Sequence, residues 1–273
     1  MKIFHLLDFR VTKMSTILHQ LLDYIYKESI KRRKEQKENE FWVTDIIGCR
    51  IKAILSRKYP EVSALIGVSS RPMLGILAHK AIEYLVNVEK VINAESEKEA
   101  KLEVEVNGKK YYIVARPDIL CNDADLVLDL KTALDIKGPV YSHYLQLWLY
   151  SLIFSKRKAS IFYVTSLGGK WEEPVTWQKV ITALIETKLV SNEEIATVFG
   201  IKDPNKLEEE LSKQIPSDKI WETEEQREIW LSILKLYFSK WLQTEGPIWE
   251  WECNYCPYVN SFCLSPYKRV SQK

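Results

Sequence analysis

The dipeptide Asn107-Gly108 constrains this chain more than any other feature. It sits between two strand-like runs, "KLEVEV" and "KKYYIVA". A two-residue hairpin turn needs positive φ at both central positions, and Asn followed by Gly is the pair that tolerates this best. Two more strand-like runs follow, "DILC" and "LVLDLKT", separated by the turn-forming Asn122-Asp123-Ala124-Asp125. Helical patterns flank this block. Residues 15–40 are apolar first (Ile17, Leu18, Leu21, Leu22, Ile25) and then charged. Thr44 or Asp45 caps a second helix that runs to about Lys58, where Pro60 stops it. Pro72 opens a third helix, "MLGILAHKAIEYLVNVEK". A helix over 140–155 and the strand "ASIFYVTS" come next. Helix, three or four strands, helix, strand is the order of a compact α/β unit: a mixed sheet flanked by helices.

Residues 171–247 change character. They are rich in Glu and Lys, contain Trp171, Trp177, Trp221, Trp230 and Trp241, and read as a helical insertion. Within them "EEIATVFGI" has a spacing shared by helix-turn-helix units and by ordinary amphipathic helices. With 273 residues, 46% of them apolar and 28% charged, the chain is globular and can bury a large core. A formal charge of +2 excludes a chain-wide field for polyanions. Nucleic acid would have to meet local patches such as Lys31-Arg32-Arg33-Lys34 or Lys156-Arg157-Lys158. The opening "MKIFHLLDFRVTKM" lacks the apolar region and cleavage site of a signal peptide, and the longest apolar run, residues 145–154, is too short to span a bilayer. The expectation is a cytoplasmic protein with no membrane partner.

Asp129 and Lys131 interrupt the apolar strand "LVLDLKT" two residues apart, so they share one strand face. Alone, such a pair is a surface ion pair of little worth. Asp118 ends the preceding strand-like run eleven residues earlier, and a short turn between adjacent strands can bring both carboxylates near one point. Hard oxygen ligands of this kind suit Mg²⁺ or Mn²⁺, with water and a substrate phosphate completing the shell. Lys131 beside such an ion could orient the attacking water or stabilise developing charge. His79 shares a helix face with Gly75 and Glu83, and an imidazole there favours Mn²⁺ over Mg²⁺.

"GILAH", "RPD", "LDLKT" and "QLWLY" stand in the order of the motifs of the PD-(D/E)XK nucleases, which this chain resembles in their RecB-like branch. The resemblance implies a restriction-endonuclease-like fold. It implies His79, Asp118 and Asp129 as metal ligands, the Leu130 carbonyl as a further ligand, and Lys131 as the catalytic lysine. Gln146 and Tyr150 would contact DNA or support the site. Two departures stand out: Ala115 replaces a frequent Gly, and Asp129 replaces the commoner Glu, one methylene longer. Tyr144, Trp148, Tyr150 and the tryptophans of 171–247 either stack on bases or fill the core.

The cysteines extend the likeness. Cys121 lies alone in a strand-like run and reads as a small core residue. Cys49 precedes the nuclease motifs, and Cys253, Cys256 and Cys263 follow them as C-x₂-C-x₆-C. This is the iron–sulfur pattern of a RecB-like subset that includes the CRISPR-associated exonuclease (Cas four) family. It implies one [4Fe–4S] cluster joining the two chain ends; four thiolates also suit a structural Zn²⁺. The divisions expected are 1–41 helical, 42–170 nuclease core, 171–247 insertion and 248–273 cysteine clasp. No phosphate loop occurs, so the chain is not a fused helicase–nuclease. The activity implied is a Mg/Mn-dependent exonuclease, 5′ to 3′ on single-stranded DNA ends, trimming DNA for CRISPR spacer acquisition beside an integrase. A repair, recombination or virus-borne nuclease is the alternative, as is a catalytically weak structural subunit of an adaptation complex.

Overall fold

The computed structural model describes residues 16–68, 70–133, 140–165, 169–259 and 262–263. Helix α1 (Thr16–Glu35) leads to a short strand β1 (Glu40–Trp42) and then to helices α2 (Val43–Ile46), α3 (Arg50–Lys58), α4 (Pro60–Gly67) and α5 (Ser70–Asn87). Strands β2 (Glu95–Ser96), β3 (Ala100–Val106), β4 (Lys109–Ala115), β5 (Ile119–Cys121) and β6 (Leu126–Ala133) follow. Helix α6 (Tyr141–Phe154) links them to β7 (Lys158–Thr165) and β8 (Lys170–Val175). Helices α7 (Trp177–Glu186), α8 (Asn192–Val198), α9 (Leu207–Ser212) and α10 (Glu224–Trp241) come next, and a 3₁₀ turn spans Glu250–Tyr255.

The hairpin forms where Asn107-Gly108 places it. Asn107 has φ 51° and Gly108 φ 74°, and Val106 pairs with Lys109 across the turn. The described strands make two sheets, β1-β4-β3 and β2-β5-β6-β7-β8. The chain leaves the first sheet after Ala115 and enters the second at Ile119. Pro117 lies in that gap, where its missing N–H interrupts no ladder. β6 and β7 run parallel across the α6 crossover, while β5 and β8 flank them antiparallel, so the larger sheet is mixed.

Several local expectations differ from the structure. The helix expected up to Lys58 is broken at residues 47–49, with Cys49 as the N-cap of α3. α3 does end at Lys58, as expected, and Pro60 opens a separate helix, α4, at a position where a missing N–H costs nothing. "KWEEPV", read as helical, is the edge strand β8 paired only with β7, and an edge tolerates Pro174.

Helix α6 is the centre of the core. Leu145, Leu147, Trp148, Leu149 and Leu152 have no exposed surface, so the helix is apolar nearly all round. One contiguous cluster joins it to Ile113, Val127 and Ile161 of the sheets and to Trp177, Ile195, Trp230 and Trp241 of the later helices. Trp148 meets Trp230 edge-on at 6.0 Å and Tyr237 at 6.4 Å. Tyr144, Trp148, Tyr150, Trp177, Trp221, Trp230 and Trp241 are all buried, which removes them as base-stacking surfaces. Trp171 of β8 is the exception, at 38% exposure. Among the described residues no helix is long and apolar enough to cross a membrane.

Candidate active site

β6 lies between β5 and β7, and Asp129, 2% exposed, sits in it beside Lys131. The Lys131 ammonium is 2.5 Å from Asp129 Oδ2 and donates to Gln146 Oε1 at 2.8 Å. Gln146 Nε2 donates to Asp129 Oδ1 at 3.3 Å and to the Tyr150 hydroxyl at 2.9 Å. One amide therefore turns its oxygen to the ammonium and its nitrogen to the carboxylate. Gln146 and Tyr150 are one turn apart on α6, which is why they meet. Both are buried, so they support the strand pair from behind.

Asp118 stands just before β5, and its Oδ2 accepts the Leu130 amide at 2.6 Å. Its Oδ1 lies 2.7 Å from His79 Nδ1. Helix α5 comes this close to β6 because Gly75 has no side chain: a Cβ there would be 3.0 Å from Thr132 Oγ1. Glu83 shares the helix face but pairs with Lys80 and stays out of the site.

The charges are strongly coupled. Burial pushes the Asp129 carboxyl up, Lys131 pulls it back, and it comes to rest at about 6. Burial opposes charge on His79, but the hydrogen bond and charge of Asp118 outweigh it and raise its pKa. Burial, then the Asp129 charge, keeps the Tyr150 phenol protonated.

Glu97 joins the site, and the sequence gives no sign of it. It lies in a charged turn after β2 at φ 56°, and its amide donates to the Asp118 carbonyl at 3.4 Å. Its carboxylate pairs with Arg116 Nε at 2.8 Å. Ligand atoms of His79, Glu97 and Asp118 all fall within 4.8 Å of one another. Asp129 Oδ2 is buried, and its partner among the described residues is the Lys131 ammonium. His79, Glu97 and Asp118 bring one imidazole and two carboxylates close enough to share one ion, a donor set that suits a hard divalent cation, while Asp129 stands outside that close group.

The cysteine segment docks on the α2–α3 region through polar rivets. The buried Glu252 carboxylate accepts the Cys49 amide at 2.8 Å, the Ile248 amide at 2.9 Å and the Trp249 amide at 3.1 Å. Trp249 donates to the Ile47 carbonyl, Trp241 to that of Gly48 and Tyr237 to that of Ile46, each at 2.8 Å. A Cβ at Gly48 would lie 2.8 Å from Glu252 Oε1, so a larger residue there displaces the Glu252 carboxylate from its amide partners. Burial, and then the nearby Glu252 and Cys256 charges, push the Cys49 thiol up to about 11. Burial also raises Cys253 and Cys256, and both feel Cys263. Cys49 and Cys253 feel the charge of Cys256, and among the described residues no three of these thiols stand within 4.8 Å of one another. Cys121 is apart from them and only half-buried, at the end of β5, so it is not the core residue expected.

Comparison with known proteins agrees with this geometry. Residues 8–263 match the PD-(D/E)XK nuclease superfamily. The chain is 28% identical over 151 residues to a CRISPR-associated exonuclease Cas4 of Saccharolobus solfataricus, covering 53% of this chain and 74% of that protein. The fold resembles the crystal structure of SSO0001 with a TM-score of 0.63 at 20% identity, over 92% of this chain and 98% of that one. A mixed sheet carrying paired carboxylates and a lysine, matched along nearly its whole length, places the chain in the PD-(D/E)XK nuclease superfamily, in the likeness of the Cas4 exonucleases.

Proposed function

We propose that the chain is a divalent-metal-dependent deoxyribonuclease that shortens single-stranded DNA from the 5′ end, trimming it before integration into a CRISPR array. The observation that carries this reading is the Gln146-bridged set: Asp129 and Lys131 on one strand face, held by one amide, with Asp118 and His79 alongside. In this reading His79, Asp118, Asp129 and the Leu130 carbonyl hold Mn²⁺ or Mg²⁺, and Glu97 is within reach of the same ion. When bound, the cation supplies a Lewis acid for the phosphate and makes a water easier to deprotonate. Lys131, fixed by Gln146, is placed to orient that water and to neutralise charge growing on the phosphate oxygens.

Cys49, Cys253, Cys256 and Cys263 would hold one [4Fe–4S] cluster as a staple between the early helices and the C-terminal segment. A cytoplasmic protein acting beside a CRISPR integrase fits this reading. The test is incubation of anaerobically purified protein with 3′-labelled single-stranded DNA. Progressive shortening from the 5′ end is expected with Mn²⁺ and none with EDTA. Folded, iron-loaded protein that leaves every strand intact would overturn the enzyme reading in favour of a structural subunit.

A further inference from the structure

Beside the carboxylates lies a cavity of about 310 Å³ whose wall includes Arg32, Arg33, Trp42, Ser63, Arg116 and Tyr150. Its size is at the lower end of the range for small-ligand sites. Two wall residues reach the site directly. Tyr150 takes the Gln146 hydrogen bond, and Gln146 also touches Asp129 and Lys131. Arg116 pairs with Glu97, whose carboxylate stands among the His79 and Asp118 ligand atoms.

The charges in this wall do not balance. Arg33 is matched by Asp45, at 2.9 and 3.1 Å, and Arg116 by Glu97. Arg32 has no hydrogen bond or salt bridge among the described residues, although Glu97 and Glu28 act on it at longer range. Lost hydration lowers its pKa first, and the charge of Arg116 lowers it next. Two guanidinium groups close enough to repel are relieved by an anion between them. Arg116 lies over the Trp42 ring, 5.8 Å from its centroid, with its Nε turned to Glu97. Arg32 is exposed as a whole residue, so a ligand can reach it. Planar guanidinium forks match the oxygens of a phosphate.

We propose that this cavity binds a phosphate group of the DNA strand between Arg32 and Arg116, and so fixes the strand beside the scissile bond. The inference rests on the nuclease reading above and deepens it. Such a phosphate is either the terminal 5′-phosphate or an internal diester of the same strand.

The probe is a 3′-labelled single strand followed by fluorescence anisotropy in EDTA, where cleavage does not interfere. It is used with a 5′-phosphate and with a 5′-hydroxyl, and a labelled circular strand completes the set. Arg32→Gln is expected to weaken binding of the phosphorylated strand about 10-fold, roughly 1.4 kcal/mol. Lys235→Gln, the same charge change at an exposed position of α10 that does not line the cavity, is expected to change it less than about twofold. Arg116→Gln should match Arg32→Gln. A terminal-phosphate site shows as wild-type affinity for the 5′-hydroxyl strand already reduced to the variant's level. An internal site shows as equal losses for all three strands. Equal affinity of wild type and Arg32→Gln for every strand, with an unchanged thermal melt, overturns the proposal. Binding that depends on Arg32 without any Mn²⁺-dependent cleavage keeps the cavity and removes the nuclease reading; cleavage with binding indifferent to Arg32 does the reverse.

Discussion

Lys131 is the residue whose loss is expected to separate chemistry from folding most cleanly. Its ammonium touches Asp129 and Gln146, and its stem lies at the edge of the site and not in the core. Lys131→Ala should lower Mn²⁺-dependent cleavage at least about 100-fold while the melting curve stays close to that of the wild type. End-labelled DNA and calorimetry on the same preparation check both halves. Asp118→Ala and Asp129→Ala should each weaken Mn²⁺ binding, read by isothermal titration; unchanged affinity in both would place the metal elsewhere. A second residue-scale effect concerns His143, which the sequence did not single out. Burial, then the charge of Lys131, push its imidazole down to about 3 from an ordinary value of 6.5, and its Nδ1 lies 3.0 Å from the Tyr163 hydroxyl. The folded state thus keeps His143 neutral while the unfolded chain takes up a proton below 6.5. Stability tied to this group is complete above that pH and is lost as pH falls toward 3. Between pH 7 and pH 5 the wild type should lose about 2 kcal/mol more than His143→Gln in urea unfolding. Asp129, raised to about 6, works in the opposite sense, which is why the comparison is made between proteins and not between pH values alone.

At the scale of elements, the contact between the α2–α3 region and the C-terminal 3₁₀ turn is the one to test. Glu252 accepts three backbone amides there, including that of Cys49. Gln in its place turns an N–H toward at least one of those donors, and a buried unmatched pair costs about 1–3 kcal/mol. Glu252→Gln should therefore lower the denaturation midpoint and loosen the Cys49 position together. Changing Cys49, Cys253, Cys256 or Cys263 to Ala should give colourless, less soluble protein, while Cys121→Ala stays coloured and active. Iron and zinc content with the visible spectrum decides: zinc without iron keeps the clasp and rejects the cluster, and neither metal rejects both.

For the whole molecule, the question is whether residues 171–247 stand apart. β8 completes the edge of the larger sheet. Trp221 donates to Ser151 Oγ at 3.0 Å, and Arg227 donates to the Leu152 carbonyl at 2.8 Å. Trp230 and Tyr237 cover Trp148. A short linker in place of 177–247 would bare the apolar back of α6, and the expected product is insoluble. Trp230→Ala, a milder test, should cost about 3–5 kcal/mol in chemical denaturation. A soluble linker variant with a sharp melt would show instead that this half is energetically separate.

The nuclease core was legible because short-range rules write it into the chain. Asn107-Gly108 forces a hairpin, alternation puts Asp129 and Lys131 on one face, and a four-residue spacing aligns Gln146 with Tyr150. Those rules act over a few residues and hold wherever the segment sits. What they could not decide was anything set by distant packing. A tryptophan reads the same whether it stacks a base or fills a core, and only the α6 interface settled that for Trp148 and Trp230. "KWEEPV" becomes a strand because β7 offers it an open edge, and Glu97 enters the site because its turn is tied to Asp118. By itself the sequence determined the hairpin, the order of the motifs and the candidate residues for the chemistry. The tertiary structure decided which charges meet and which are left without a partner, because burial and long-range contact, unlike periodicity, exist only once the chain has folded.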